Sequence, residues 1–502
     1  MRAVRNVEAM LAETTPGQPL RTHRRDSKDR QLDVVDSSLA FREWSSHVGG
    51  IWWTRAGGRG AIDAAGKARF DALVRFARAH SPLYREAYRE LPDYDFDRRR
   101  LPVMTRHALM ESFDTWATNP EIRRAGVEAF LANRTRIGER YLGQYVVWKS
   151  SGTTGEPGIY VQDTEALTTY NALVASQLSS PTLFARCAWA SFTRGGRAAL
   201  IAATGDHFAS ITSWERVCRE NPWLDARGFS VLQPLPELVA ALNDYRPAFL
   251  ASYPTMLSLL AEEASAGRLR ISPSILWSGG ENLADSAQRE VERAFGSPVV
   301  NEYGASECLS IAFGCTEGWL HVNADWALVE PVDAEYRPVG PGEASATVLI
   351  TNLANWLQPI IRYDLGDSIL VKPQPCACGS PLPAILVEGR RDDVVSLVGR
   401  EGNRVRLLPL ALTTVVEDVL HAHRFQIVQT GPEALTVRLA MDRDAARRKA
   451  WDVVAGALRA YLLRQSLPNV QLALDTRGPM ADPRSGKLRQ VIVATQRHSR
   501  AP

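Results

Sequence analysis

A chain of 502 residues, 45% hydrophobic and 23% charged, has room for a large core and for two or more domains. Its 59 basic and 56 acidic residues leave a formal net charge of +3, too even a balance to call for nucleic acid or an anionic membrane as partner. No apolar run reaches the ~18–20 residues that span a bilayer, and the first thirty residues hold no apolar signal core. The expected location is therefore cytoplasmic. Six cysteines in so long a chain do not make a disulfide framework.

Residues 1–40 are polar and Arg-rich, and read as a partly disordered arm. A helical period follows from Asp63 to Tyr88, with Phe70, Leu73, Val74, Phe76 and Ala77 on one face. Leu101–Thr105 reads as a turn into a helix from Arg106 to Phe113. After the apolar run Tyr145–Trp148 comes Ser150-Ser-Gly-Thr-Thr-Gly-Glu-Pro-Gly158, three glycines and four hydroxyl side chains in nine residues. A strand that empties into such a loop makes a phosphate cradle, because glycine lets the backbone approach an anion while N–H groups and hydroxyls donate to its oxygens. The loop lacks the Gly-Lys-Ser/Thr ending of a Walker A motif.

Strands and helices then alternate. Strands are expected at Ala198–Thr204, Phe249–Tyr253, Ile275–Trp277 and Val299–Glu302, and helices at Leu235–Tyr245, Thr255–Ala266 and Ala284–Phe295. This order predicts an α/β fold whose largest domain has mostly parallel sheets covered by helices. Ligands of such sheets bind outside the carboxyl ends of the strands. Ser278-Gly-Gly-Glu281 and Tyr303-Gly-Ala-Ser-Glu307 both fall there. The tail reads as a small α+β domain, with strands at Phe425–Thr430, Ala434–Met441 and Val470–Leu474 and a helix at Ala445–Arg464. Cys315, His321, Cys376 and Cys378 offer three thiols and an imidazole, a set that suits tetrahedral Zn²⁺. Ordinary reduced cysteines are the other reading, and Cys308 is a substitute ligand.

Six motifs occur in order: Ser150–Gly158, Ser278–Glu281, Tyr303–Glu307, Pro359–Asp367, Gly389–Asp393 and Ser485-Gly-Lys487. Together they resemble the adenylate-forming superfamily of acyl-CoA synthetases, most nearly its phenylacetate–CoA ligase branch, over roughly residues 65–490. The resemblance implies a large adenylation domain at 41–388, a hinge at 389–393 with Asp392 as its pivot, and a small mobile lid at 394–502. It implies ATP-dependent conversion of a carboxylic acid to an acyl-adenylate, then transfer to a thiol, most simply that of coenzyme A. Transfer to a carrier-protein phosphopantetheine or to an amine is the alternative within the class. A non-catalytic nucleotide-binding protein is the alternative outside it.

The resemblance also assigns roles. Ser150, Ser151, Gly152, Thr153, Thr154 and Gly155 would hold the outer phosphates. Gly279, Gly280 and Glu281 would line the adenine, with Tyr303 and Gly304 beside it. Ser306 would donate to the α-phosphate, and Glu307 would bind Mg²⁺. Asp367 would accept the ribose hydroxyls, Arg390 would contact ribose or phosphate, and Lys487 would meet the charge that builds during adenylation. Trp189, Phe192, His207, Phe208, Tyr253 and Tyr303 are the aromatic candidates for the acid pocket.

Overall fold

The computed structural model describes residues 30–92, 97–150, 157–178, 180–222, 224–281, 283–388, 395–407, 409–420, 425–441, 444–480 and 490–493. A helix runs over Arg30–Ala56, so helical structure begins inside the segment read as a partly disordered arm. The expected helix Asp63–Tyr88 is two: Gly58–His80 and Pro82–Ala87. Ser81 separates them, and its hydroxyl accepts from the Tyr84 N–H of the second. Proline is welcome at such a first helical position, where no N–H is needed.

Twenty strands are assigned among the described residues. β1 (Val146–Lys149) and β2 (Ile159–Gln162) form an antiparallel hairpin. β3 (Ala198–Ala202), β4 (Ala226–Ser230), β5 (Phe249–Ser252), β6 (Ile275–Ser278) and β7 (Val299–Ala305) follow, then β8 (Cys308–Gly314) and β9 (Leu320–Val322). β10 (Ala327–Val332), β11 (Thr347–Asn352) and β12 (Ile360–Asp364) make a three-stranded sheet. β13 (Ser368–Val371) and β14 (Ala384–Glu388) return to the main sheet, whose order is β13-β14-β9-β8-β7-β6-β5-β3-β4. From β4 to β7 the neighbours are parallel, and from β7 to β13 they are antiparallel.

The parallel half obeys the alternation read from the sequence. Helices Leu235–Tyr245, Pro254–Ser265 and Asp285–Phe295 each carry the chain back to start the next strand. The last of them stops at Gly296, whose φ of +64° suits glycine at a helix end. One hydrophobic cluster joins this sheet, through Ile201, Leu250 and Leu276, to the C-terminal elements, through Leu412, Ile427 and Leu458. Those elements are the hairpin β15 (Val395–Val398) and β16 (Arg404–Leu407), helices Pro409–Leu420 and Asp444–Arg464, and a four-stranded sheet. Its strands are β17 (Phe425–Gly431), β18 (Ala434–Leu439), β19 (Gln471–Leu474) and β20 (Val491–Val493). Among the described residues no helix is long and apolar enough to cross a membrane.

The helix Gly58–His80 packs close against the chain before β10. A Cβ at buried Gly66 would lie 2.5 Å from the Ala324 carbonyl oxygen, whereas one at exposed Gly60 meets nothing within 4 Å. Alanine is the better helix former by about 1 kcal/mol, so Gly60→Ala should raise the thermal midpoint. Gly66→Ala should lower stability by about 1–3 kcal/mol through overpacking. Equal midpoints for the two variants would mean that the close approach is absent.

Candidate active site

The hairpin β1–β2 carries the hydroxyl-rich loop. Lys149 and Ile159 are its last register pair. Beyond them the Ser150 N–H donates to the Gly158 carbonyl at 2.9 Å, and the Gly158 N–H donates to the Ser150 hydroxyl at 2.8 Å. The two ends of the loop are therefore clasped. Ser151, Gly152, Thr153, Thr154 and Gly155 lie outside the described residues, as do Arg390, Asp392 and Lys487. A Cβ at Gly158 would fall 2.2 Å from the Tyr160 phenol oxygen, so only glycine fits over that ring.

That phenol points at Glu307, in the turn between β7 and β8. The turn is tight: a Cβ at Gly304 would be 1.8 Å from the Leu309 carbonyl oxygen. The Trp148 indole N–H donates to the Ser306 carbonyl at 2.8 Å, and the Asn352 amide donates to the Glu307 carbonyl at 2.9 Å. The Glu307 carboxylate is 3% exposed. Its Oε1 accepts from Tyr160 at 2.6 Å and from Tyr363 at 2.7 Å, and lies 3.5 Å from the Arg106 guanidinium. Burial, then the Glu307 charge, holds both phenols above their ordinary pKa, so they stay protonated donors. Burial alone would weaken the Arg106 charge, but the facing Tyr363 and Glu307 more than restore it. Unpaired, a buried carboxylate would be very costly. Here it is neutralised and doubly hydrogen-bonded.

A second group gathers at the carboxyl ends of β5, β6 and β7. The Tyr303 phenol donates to Asp367 at 2.9 Å, which ties the β12–β13 turn to β7. Gly280 has φ +82°, and a Cβ there would be 3.1 Å from the Tyr253 ring. Glu281 accepts from the N–H and hydroxyl of Thr255, at 3.1 and 2.7 Å. It thereby caps the first turn of Pro254–Ser265. Tyr253 and Phe208 pack into the same cluster beside β3. The Ser278 hydroxyl is buried with no partner among the described residues.

Trp189 is not part of this gathering. It is 65% exposed on Pro181–Arg194 and borders a surface cavity with Ser272–Ser274 and Phe295–Ser297, which precede β6 and β7. Those are the amino ends of the strands. Trp189 therefore faces the opposite rim of the sheet from Tyr253 and Phe208. His207 is fully buried, with its Nε2 3.1 Å from the Asn133 carbonyl and its pKa lowered by burial.

At the far side of the sheet, the ligand atoms of Cys315, His321, Cys376 and Cys378 all lie within 4.8 Å of one another. His321 pairs with Ala384 across β9 and β14, which brings the Cys376–Cys378 loop over the β8–β9 hairpin. His321 Nδ1 is 3.0 Å from the Leu382 carbonyl and Nε2 is 3.1 Å from Cys378 Sγ. A carbonyl only accepts, so Nδ1 carries the proton and Nε2 keeps its lone pair toward the thiols. Cys315 and Cys376 Sγ are 3.8 Å apart, nearly twice the ~2 Å of a disulfide and close to the ~3.8 Å edge of a tetrahedron built with ~2.3 Å Zn–S bonds.

Sequence reasoning passed over Arg106, Tyr160, Tyr363 and Glu302. The first three lie on separate elements, and only folding brings them to Glu307. The Val299–Glu302 strand was visible, yet its half-buried glutamate accepts from the Trp277 indole N–H at 2.8 Å and the Ser310 hydroxyl at 3.0 Å. Burial pushes the Glu302 carboxyl from an ordinary 4.5 up to about 7. The folded chain then holds this proton more tightly than the unfolded one. The stability from this group is full below pH 4.5 and declines as pH rises toward 7. Glu302→Gln should flatten that decline in thermal melts, and an unchanged pH profile would remove the assignment.

The model of the AMP-binding enzyme family matches residues 214–346, a stretch that contains Gly279–Glu281 and Tyr303–Glu307. Protein CapK of Staphylococcus aureus is 25% identical over 213 residues, which are 41% of this chain and 45% of CapK. The matched region thus spans less than half of that curated relative. Among solved structures, a 2-hydroxyisobutyryl-CoA ligase in complex with 2-HIB-AMP and CoA is 20% identical, covers 86% of this chain and 89% of its own, and has a TM-score of 0.50. The same ligase in a postadenylation state with R3-HIB-AMP covers 87% and 90% at 20% identity, with a TM-score of 0.47. Residues 214–346 thus resemble the AMP-binding enzyme family, and the chain has an α/β fold like that of the 2-hydroxyisobutyryl-CoA ligase.

Proposed function

We propose that this chain is an ATP-dependent, AMP-forming carboxylate ligase of the phenylacetate–CoA ligase-like kind, passing its acyl group to the thiol of coenzyme A. The supporting observation is the meeting of three loops at one rim of the parallel sheet. Gly279–Glu281 follows β6, Tyr303–Glu307 follows β7, and Asp367 reaches Tyr303 through the 2.9 Å hydrogen bond. Such a rim is where a nucleotide binds in open α/β sheets.

On this reading Gly279 and Gly280 give the adenine room. Asp367, oriented by the Tyr303 phenol, accepts the ribose hydroxyls. Ser306, fixed by the Trp148 bond to its carbonyl, faces the α-phosphate. Glu307 has a donor set that fits Mg²⁺: Oε1 is saturated by the phenols, and among the described residues no hydrogen bond reaches Oε2. Bound there with phosphate oxygens, the ion would offset charge on the leaving pyrophosphate. Arg106, 3.5 Å from Oε1, offsets the charge of the carboxylate. Tyr253 and Phe208, with the buried Ser278 hydroxyl nearby, border the space for the acid. The lid assignment for residues 394–502, with Asp392 as hinge and Lys487 as the cation of adenylation, belongs to the same proposal, as does Arg390 on ribose or phosphate.

A pyrophosphate-release screen over aryl and fatty acids, with and without coenzyme A, tests the reading. One acid should give release that depends on ATP, with a thioester formed when the thiol is present. Lys487→Ala should slow adenylation by about 10²–10³-fold, the scale of losing one preorganised charge-stabilising group. It should leave thioester formation from pre-made acyl-adenylate nearly intact. Equal losses in both half-reactions would contradict the role of Lys487, and no release with any acid would contradict the ligase.

The Cys315, His321, Cys376 and Cys378 cluster fits a closed structural Zn²⁺ site that staples the β8–β9 hairpin to the β13–β14 loop. Purified protein should carry about one zinc per chain, and Cys378→Ser should lower both the zinc content and the melting temperature. A zinc content near zero in protein purified without chelator would count against the site.

A further inference from the structure

We infer that Glu302 is a specificity-determining residue of the acid pocket and selects a carboxylic acid that also carries a basic nitrogen. This rests on the adenylate-forming reading above and names the substrate class within it. The ligand is an aryl or alkyl acid whose amine, as an ammonium ion, sits against the Glu302 carboxylate.

Strand register places Glu302. Ala251 of β5 pairs with Trp277 of β6, and Trp277 pairs with Val300 of β7. The three share one face of the sheet, and Glu302, two residues beyond Val300, lies on it too. The opposite face is closed, with Leu250 and Leu276 at 1% and 0% exposure. On the Glu302 face, Leu178 and Leu183 of the covering helices pack with Ile275 and Phe313, yet Ala251, Trp277 and Glu302 stay half-buried. The cover is therefore incomplete toward the carboxyl ends of these strands. That is the rim where Gly279 follows β6 and where Tyr303 directly follows Glu302. Ala251 also packs in one cluster with Tyr253 and Phe208, the residues that border the space for the acid.

Glu302 differs from Glu307 in its company. Glu307 has the Arg106 guanidinium 3.5 Å away. Among the described residues Glu302 meets no cation, and its two donors, the Trp277 indole N–H and the Ser310 hydroxyl, are neutral. Burial pushes its carboxyl up to about 7 because these two bonds do not offset the lost hydration. To ionise in that place the group needs a counter-charge from outside the chain. Each carboxyl oxygen has accepted one of the two bonds and keeps a further lone pair. The half-buried Trp277 ring beside them is a favourable surface for an ammonium ion. An acid with an amine at this point gains a charge-assisted hydrogen bond. An acid of the same shape without the amine leaves the carboxyl unpaired and is disfavoured.

Pyrophosphate release by the full chain, measured with matched pairs of acids, tests this. The pairs are aminomethylbenzoate against toluate, aminohexanoate against hexanoate, and phenylalanine against phenylpropionate. In at least one pair the amino-bearing member should have the higher kcat/KM. Glu302→Gln, which keeps the shape and removes the charge, should lower that value about tenfold to a hundredfold, the scale of one hydrogen bond to a charged group. It should leave the amino-free partner and the calorimetric affinity for ATP unchanged. Equal or higher turnover of the amino-free acid in every pair would overturn the inference and leave the ligase standing. So would a preference that survives in Glu302→Gln, whether both members of the pair fall alike or neither does, since the carboxyl would then be merely structural. No release with any acid would instead defeat the adenylate-forming reading, and this inference with it.

Discussion

The architecture turns on one buried negative charge. Glu307 lies at the bend where the main sheet passes from parallel to antiparallel pairing, and it is removed from water. A carboxylate in that place is tolerable only if the surrounding chain supplies donors and a counter-charge. Tyr160 comes from the hairpin that bears the hydroxyl-rich loop, Tyr363 from the three-stranded sheet, and Arg106 from a short helix near the start of the described chain. Satisfying Glu307 therefore requires three distant parts of the sequence to converge. The same convergence ties the hairpin that bears the hydroxyl-rich loop to the strand ends.

Much of the parallel half was legible because its periods are local. Leu235–Tyr245 alternates at helical spacing and Gly296 marks a stop, so these elements could be placed from the sequence. The C-terminal strands at Phe425, Ala434 and Gln471 and the long helix between them were readable for the same reason. The hairpin β15–β16 and the helix Pro409–Leu420 were not, since the first is short and the second is apolar on most faces. Composition reads residues 1–40 as a partly disordered arm, and the helix from Arg30 onward has no clear period to announce it.

The site divides along the same line. Motif order brought Gly279–Glu281, Tyr303–Glu307 and Asp367 into consideration, and they do lie together. Trp189 is a pocket candidate by its bulk, and bulk carries no information about which rim of the sheet a helix borders. Arg106, Tyr160 and Tyr363 have no local signature whatever, because a buried charge selects its partners in three dimensions. Glu281, expected at adenine, spends one oxygen on Thr255 and so helps to fix the helix that starts beneath it.

Gly158 has a consequence for how such a sequence can vary. It stands over the Tyr160 phenol with no room for even a methyl group, and that phenol donates to Glu307. A lineage that installed a long side chain at position 158 would have to abandon the aromatic hydroxyl at 160 and find another donor for the carboxylate. The two positions, and with them the residue facing Glu307, are bound to drift as a unit or not at all.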